Sequence, residues 1–155
     1  MKKNRGKKFE AKIKQSLEKV ENCAVQRLND NVKYRNAKNP SDFLAYKKPY
    51  LYYIECKSTT GASLPYAKIT QWDMLLKKSK IDGVFAGVII WFIDKDLTFW
   101  IDIRELENLK KETKKKSINY KFAMTNPNRV RIIDGIKRKI YYDYNMTDFL
   151  ESFER

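Results

Sequence analysis

The order of helical and strand-like segments predicts an α/β fold, a sheet with helices flanking it. Three observations carry this. Val84–Ile93 is a ten-residue apolar run, too short for a membrane span and typical of a strand covered on both faces. Amphipathic helical patterns stand before, between and after the strand-like runs. No internal repeat and no Pro/Gly/Ser-rich linker interrupts the 155 residues, which hold only 5 Gly and 4 Pro, so residues 1–155 read as a single domain.

Taken in order, Phe9, Ile13, Leu17 and Val20 recur at helical spacing and predict a first amphipathic helix over Phe9–Val20. Residues 23–28 read as a short strand. Asp42–Tyr46 and Tyr50–Lys57 are strand-like runs around Lys47-Lys48-Pro49. A helix follows over Thr70–Ser79, with Ile69, Trp72, Leu75 and Leu76 inward. Val84–Ile93 and Leu97–Ile103 are strands, and Arg104–Lys116 is a helix ending in a basic run. Val130–Ile133 and Lys139–Tyr144 are late strands before a terminal helix from Thr147.

Composition narrows the chemistry. The chain has 33 Lys+Arg against 19 Asp+Glu, a net charge of +14, so its partner is a polyanion; charge alone does not separate DNA from RNA or an anionic membrane. It has no histidine, which excludes a Ser-His-Asp triad, a Cys-His pair and a His-ligated metal. Hydrolysis would have to run on carboxylates, Lys or a metal ion. The two cysteines, Cys23 and Cys56, are too few for an all-cysteine zinc site; they allow one disulfide, but in a reducing cytosol they read as two free thiols. The basic opening leads into an amphipathic segment rather than an apolar signal core, so a cytoplasmic chain is expected.

The informative segment is Pro40-Ser41-Asp42, then twelve residues, then Glu55-Cys56-Lys57. Alternation along a strand puts Leu51, Tyr53, Glu55 and Lys57 on one face and Tyr52, Ile54 and Cys56 on the other. Glu55 and Lys57 then stand on the order of 7 Å apart. Pairing the two strands as a hairpin closed by Lys47–Tyr50 sets Tyr46 opposite Leu51 and Asp42 opposite Glu55, each pair summing to 97. A two-residue Lys48-Pro49 turn has the same register, but Pro suits the usual positive-φ turns poorly. Directly opposed residues have Cβ atoms roughly 4.5–5.5 Å apart. Two carboxylates that close need a proton or a cation between them, and a hard divalent ion, Mg²⁺ or Mn²⁺, is the simplest solution. Alone, a strand-end E-x-K is an ordinary ion pair and Asp after Pro-Ser an ordinary cap. Their combination on a basic chain without histidine points to metal-assisted chemistry.

With these residues in view, the sequence resembles the PD-(D/E)xK nuclease superfamily, and within it the RecU-type Holliday junction resolvases. Asn4-Arg5-Gly6-Lys7-Lys8-Phe9-Glu10 is similar to that family's N-R-G opening with a Glu on the first helix. Pro40-Ser41-Asp42 and Glu55-Cys56-Lys57-Ser58 resemble its Asp and E-A-K elements. Ser63-Leu64-Pro65 with Ile69-Thr70-Gln71 is similar to its S-F-P-L and I-x-x-H-Q stretch, and Lys116-Ser117-Ile118 to a late K-S-I element. One departure is plain: only about 20 residues separate the first helix from Asp42, too few for the family's junction-reaching stalk.

The resemblance implies a restriction-endonuclease-like mixed central sheet flanked by helices, and a homodimer that cuts four-way DNA junctions. It implies that Asp42, Glu55 and the Cys56 carbonyl hold Mg²⁺ (or Mn²⁺), with Lys57, Gln71 and Glu10 completing the catalytic site. On a helical wheel of about 100° per residue Glu10 lies about 20° outside the apolar stripe, where it either borders the site or pairs with Lys14. Thr70 is placed to cap the next helix, with Gln71 in its first turn offering amides to phosphate or facing solvent.

Basic residues cluster at Lys2, Lys3, Arg5, Lys7 and Lys8, at Lys110–Lys116 including Lys114, Lys115 and Lys116, and over Arg129–Lys139. Together they read as a phosphate-tracking surface, the first two sets as the DNA contacts. A restriction-like or nicking nuclease without junction preference, and a non-catalytic basic DNA-binding module, remain the alternatives at this point.

Overall fold

Phe9, Ile13 and Leu17 need an apolar partner, and they find it against one face of a central sheet. The computed structural model describes residues 4–28 and 39–154. Its elements in chain order are α1 (Arg5–Glu18), β1 (Ala24–Arg27), β2 (Phe43–Lys47), β3 (Tyr50–Thr59), β4 (Ser63–Pro65) and α2 (Trp72–Ser79). They continue with β5 (Val84–Phe92), β6 (Leu97–Asp102), α3 (Ile103–Thr113), β7 (Ser117–Asn119) and α4 (Tyr120–Thr125). The chain closes with β8 (Arg131–Ile132), β9 (Gly135–Arg138), β10 (Tyr141–Tyr144) and α5 (Met146–Glu151).

The main sheet has six strands in the order β1-β2-β3-β5-β6-β8. β3 and β5 run parallel and every other neighbouring pair is antiparallel, so the sheet is mixed. α1 and α5 cover one face, where Ile54, Cys56, Ile89 and Trp91 meet Phe9, Leu17 and Phe149. α2 and α3 cover the other, where Val88, Ile90 and Phe99 meet Leu75 and Leu106. β5 sends alternate side chains into both cores, the reason its sequence is apolar without a break. No helix among the described residues is long and apolar enough to cross a membrane.

The hairpin register is the expected one, with Phe43 opposite Ile54 and Tyr46 opposite Leu51. The turn is the tighter of the two considered. Lys47 pairs with Tyr50, and Lys48-Pro49 alone makes the reversal through a cis peptide. A turn with cis-Pro at its third position has no need of the positive φ that had counted against proline. α1 starts a turn before Phe9, with Lys7 and Lys8 exposed, and α2 starts two residues after Thr70. The short strands β4, β7 and β9 and the helix α4 were not expected. β4 and β7 pair only with each other, Leu64 opposite Ile118, and β9 pairs with β10 as a largely exposed ribbon.

Gly87 sits where β5 and β6 approach closely. A Cβ there would lie 2.5 Å from the Ile101 carbonyl oxygen and 2.7 Å from the Trp100 ring, and neither a strand backbone nor a buried indole can step aside. Gly87→Ala should therefore destabilise the protein by about 2–3 kcal/mol, the cost of overpacking a tight core. Urea unfolding of the variant measures it, and a midpoint equal to wild type would contradict the described packing.

Candidate active site

Asp42 is held from three sides by its position at the junction of three strands. Its N–H donates to the Ile54 carbonyl (3.1 Å), and its own carbonyl accepts from the Leu28 N–H (2.8 Å), tying it to β3 and to the end of β1. One carboxylate oxygen, Oδ2, accepts from the Cys56 N–H at 2.8 Å. The preceding Ser41, buried, donates to the Phe43 carbonyl at 2.8 Å and fixes the turn into β2.

β2 pairs with β3 only as far as Phe43–Ile54, and beyond Ile54 no strand among the described residues pairs with that edge of β3. A residue in a strand directs its N–H and C=O to the same edge. The Cys56 carbonyl therefore lies on the edge where its N–H meets Asp42. The Cys56 thiol is buried on the other face, and burial together with the surrounding carboxylates pushes it well up, so it remains a protonated core thiol. Any contribution of this residue to an ion comes from its main chain.

Glu55 is 1% exposed. Burial, then the hydrogen-bonding reach and charge of the Asp42 carboxyl, push it up to about 9; Lys57 acts in the opposite sense. Its Oε2 has no hydrogen-bond partner among the described residues. Glu10, at the side of α1, is raised by burial first and by Asp42 second, and is opposed by Arg27, Lys57 and Lys7. Glu10, Asp42, Glu55 and Lys57 thus act on one another as a single electrostatic cluster.

A buried carboxylate with an orphaned oxygen beside a second carboxylate and a main-chain carbonyl fits a hard divalent cation. Among the described residues no three acidic or thiol side chains converge as a finished ion cage. Mg²⁺ keeps several waters and binds through one or two carboxylates plus substrate phosphate.

Other expected residues fall as follows. Glu10 pairs with Arg27 at 3.3 Å rather than with Lys14, which pairs with Glu18 at 3.8 Å. Arg27, at the end of β1, was not anticipated as part of this neighbourhood. It is opposite Phe43, next to Asp42, and only the β1–β2 register reveals that. Gln71, not Thr70, occupies the cap position of α2, makes no side-chain cap, and accepts a hydrogen bond from the Thr70 hydroxyl at 2.8 Å. Gln71 is thus at the start of a helix on the Glu55 face of the sheet, but among the described residues no hydrogen bond joins it to Asp42, Glu55 or Lys57.

Arg5, Lys7 and Lys8 lie in the first turn of α1, and Lys114, Lys115 and Lys116 form the exposed link between α3 and β7. Lys2, Lys3 and the segment where a stalk would branch, residues 29–38, lie outside the described residues. The third basic cluster is not a free surface. Arg129 bridges Glu105 and Glu112 at 2.9 and 3.1 Å, Lys137 pairs with Asp96 and Arg138 with Asp143. Arg131 stacks 4.0 Å over Phe153 and donates to Ser152. Four of its five cations are engaged within the fold: Arg138 by a near neighbour across the β9–β10 turn, the other three by partners distant in sequence but adjacent in space.

The six-stranded mixed sheet with helices on both faces is a resolvase- or restriction-endonuclease-like fold, as the sequence resemblance implied. No protein family and no curated protein matches the chain by sequence. A solved structure does match: the Holliday junction resolvase Hjc of the archaeal hyperthermophile Archaeoglobus fulgidus. The TM-score is 0.55 at 19% identity, over 75% of this chain and 89% of that one. At that identity the likeness speaks to the fold.

Proposed function

We propose that the protein is a metal-dependent DNA endonuclease that resolves four-way junctions by paired phosphodiester hydrolysis, acting as a homodimer. The observation that carries the reading is the buried Glu55 carboxyl with its orphaned oxygen, set beside Asp42 at the edge of β3. The Hjc-like fold supports a junction substrate, and the motifs from Asn4 to Ile118 support the RecU-type branch.

Asp42, Glu55 and the Cys56 carbonyl would hold Mg²⁺ or Mn²⁺. The bound ion supplies polarisation of the scissile phosphate and a water of lowered pKa. Asp42 is kept in place by the Cys56 N–H, so one of its oxygens is oriented before substrate arrives. Lys57, two residues along β3, donates to the attacking water or to the developing negative charge on phosphorus-bound oxygen. Glu10, raised by its burial, holds or accepts a proton at the α1 side of the site. Gln71 would orient water from the start of α2. Two-fold symmetry in a homodimer would place two such sites on opposed strands, matching the symmetry of the junction.

The test is a cleavage panel with purified protein and Mg²⁺ on junction, fork, nicked and linear duplex DNA at matched salt. The expected result is paired, nearly symmetrical nicks near the crossover that leave ligatable products. A dimer engages several arms at once, so the junction should also bind more tightly than linear duplex. Equal rates on junction and duplex would remove the resolvase reading and leave the nuclease. No cleavage of any DNA would remove both.

The basic link after α3 gives a separate expectation. No ion pair engages Lys114, Lys115 or Lys116 among the described residues, so they are available to phosphate. With a slope of about −0.9 per neutralised phosphate in log K against log salt, changing all three to Ala should flatten the slope by up to ~2.7. All DNA substrates should weaken alike. A titration series at several salt concentrations reads this, and an unchanged slope would place the link away from DNA.

A further inference from the structure

The β9–β10 ribbon has a fixed base and an exposed tip. Ser16 of α1 accepts from the Tyr144 N–H at 3.1 Å, and Lys12 pairs with Asp143 at 3.6 Å. Asp96 accepts from both Lys137 and the Tyr142 hydroxyl at 2.8 Å. These contacts lay the ribbon beside α1 and bring its two-residue turn, Lys139-Ile140, to the start of that helix. There Arg5, Lys139 and Ile140 border one cavity of about 340 Å³, whose acidic members are Asp94 and the already paired Asp96. The turn does not carry the residues that such a turn selects. Lys139 has φ +58°, in the left-handed region that favours Gly, and the β-branched Ile140 beside it is 48% exposed. Of the five cations from Arg129 to Lys139, Lys139 alone has neither an ion pair nor a hydrogen-bond partner among the described residues.

We propose that this tip enters the open centre of a four-way DNA junction, with Ile140 against an unstacked base step and Lys139 on the phosphate beside it. The inference rests on the junction-binding part of the proposed function but not on catalysis. Arg5, across the cavity, belongs to the first turn of α1, the proposed DNA contact, so the tip continues that surface. Lys139 supplies a charge that a polyanion selects. Ile140 supplies the discrimination between structures. An apolar wedge entering continuous duplex must first unstack a base step, whereas stacking is already interrupted where four arms meet.

The experiment measures binding by fluorescence anisotropy in Ca²⁺ to a four-way junction and to linear duplex of the same arm sequence, with 2-aminopurine beside the crossover reporting unstacking. Wild type should raise the 2-aminopurine fluorescence on binding the junction. Ile140→Ser should abolish that rise and weaken junction binding about tenfold, as for one apolar side chain no longer buried, with duplex affinity within about twofold of wild type. Lys139→Gln should flatten the slope of log K against log salt by about 0.9. Because Gly suits a φ of +58°, Lys139→Gly/Ile140→Ser should melt no lower than wild type and still lose the junction preference, which separates contact with DNA from damage to the turn. A junction preference or a fluorescence rise that survives in Ile140→Ser would overturn the inference and leave the resolvase reading standing, as would an unchanged slope in Lys139→Gln. Wild type that binds junction and duplex alike would overturn both, and cleavage by the same preparation in Mg²⁺ would show whether the nuclease reading survives.

Discussion

Asp42→Asn should cut no better than about one hundredth as fast as wild type, while binding DNA as tightly. The substitution keeps shape and leaves an oxygen to accept the 2.8 Å hydrogen bond from the Cys56 N–H, so the strand junction should hold. What it removes is the charge beside Glu55. Loss of a metal-held charge costs several kcal/mol of transition-state stabilisation, and each ~1.4 kcal/mol is a factor of ten in rate. The proposed binding surface is elsewhere, on the first turn of α1 and the exposed lysines after α3, so affinity in Ca²⁺ should change little. Lys57→Ala should behave in the same way, since removal of one donor to developing charge typically costs about 10²–10³ in rate. Single-turnover cleavage beside anisotropy titration gives both readouts. Wild-type rates in either variant would eliminate the proposed site.

Glu55→Gln should be more stable than wild type in the metal-free protein at pH 8 while losing cleavage. A carboxyl that is 1% exposed beside another carboxyl is held protonated by the fold, up to about 9 from an unfolded value of 4.5. Above the unfolded value the unfolded chain has released the proton that the native chain still binds. Wild-type stability should therefore fall as pH rises from about 4.5 towards 9, by on the order of 1 kcal/mol per unit. Gln cannot ionise and can donate to Asp42, so this pH dependence should vanish from the variant. A gain of about 3.5 kcal/mol at pH 8 corresponds to a rise of roughly 7–14 °C for a chain of this size. The two proteins should converge below pH 5. Mg²⁺ should raise the melting temperature of wild type and not of the variant, because an ion that binds only the native state stabilises by mass action. Parallel stability–pH curves for the two would show that Glu55 is not held as described.

Several elements were legible in the sequence for identifiable reasons. The β2–β3 pairing followed from two bounded strand runs, and its register survived a wrong turn size because either closure sums to the same register, which runs as far as Phe43–Ile54. β5 was legible because burial on both faces demands an unbroken apolar run. β9 was not: Gly135–Arg138 is exposed throughout and is secured by Lys137–Asp96 and Arg138–Asp143, with no apolar period to detect. β4 and β7 are three residues each and acquire meaning only from pairing across more than 50 positions of chain.

The sequence by itself determined the chemistry on offer and the local geometry that presents it. Absence of histidine, a charge of +14 and the Asp42–Glu55–Lys57 spacing are linear facts, and strand alternation converts spacing into facing side chains without help from the rest of the molecule. Only the tertiary structure decided which charges are free. Glu10 chose Arg27 over Lys14, Arg129 closed on Glu105 and Glu112, and Lys114–Lys116 were left without an ion pair among the described residues. Pairing between charges depends on distances of a few ångströms and on local burial, and both are set by how helices and strands remote in sequence pack together.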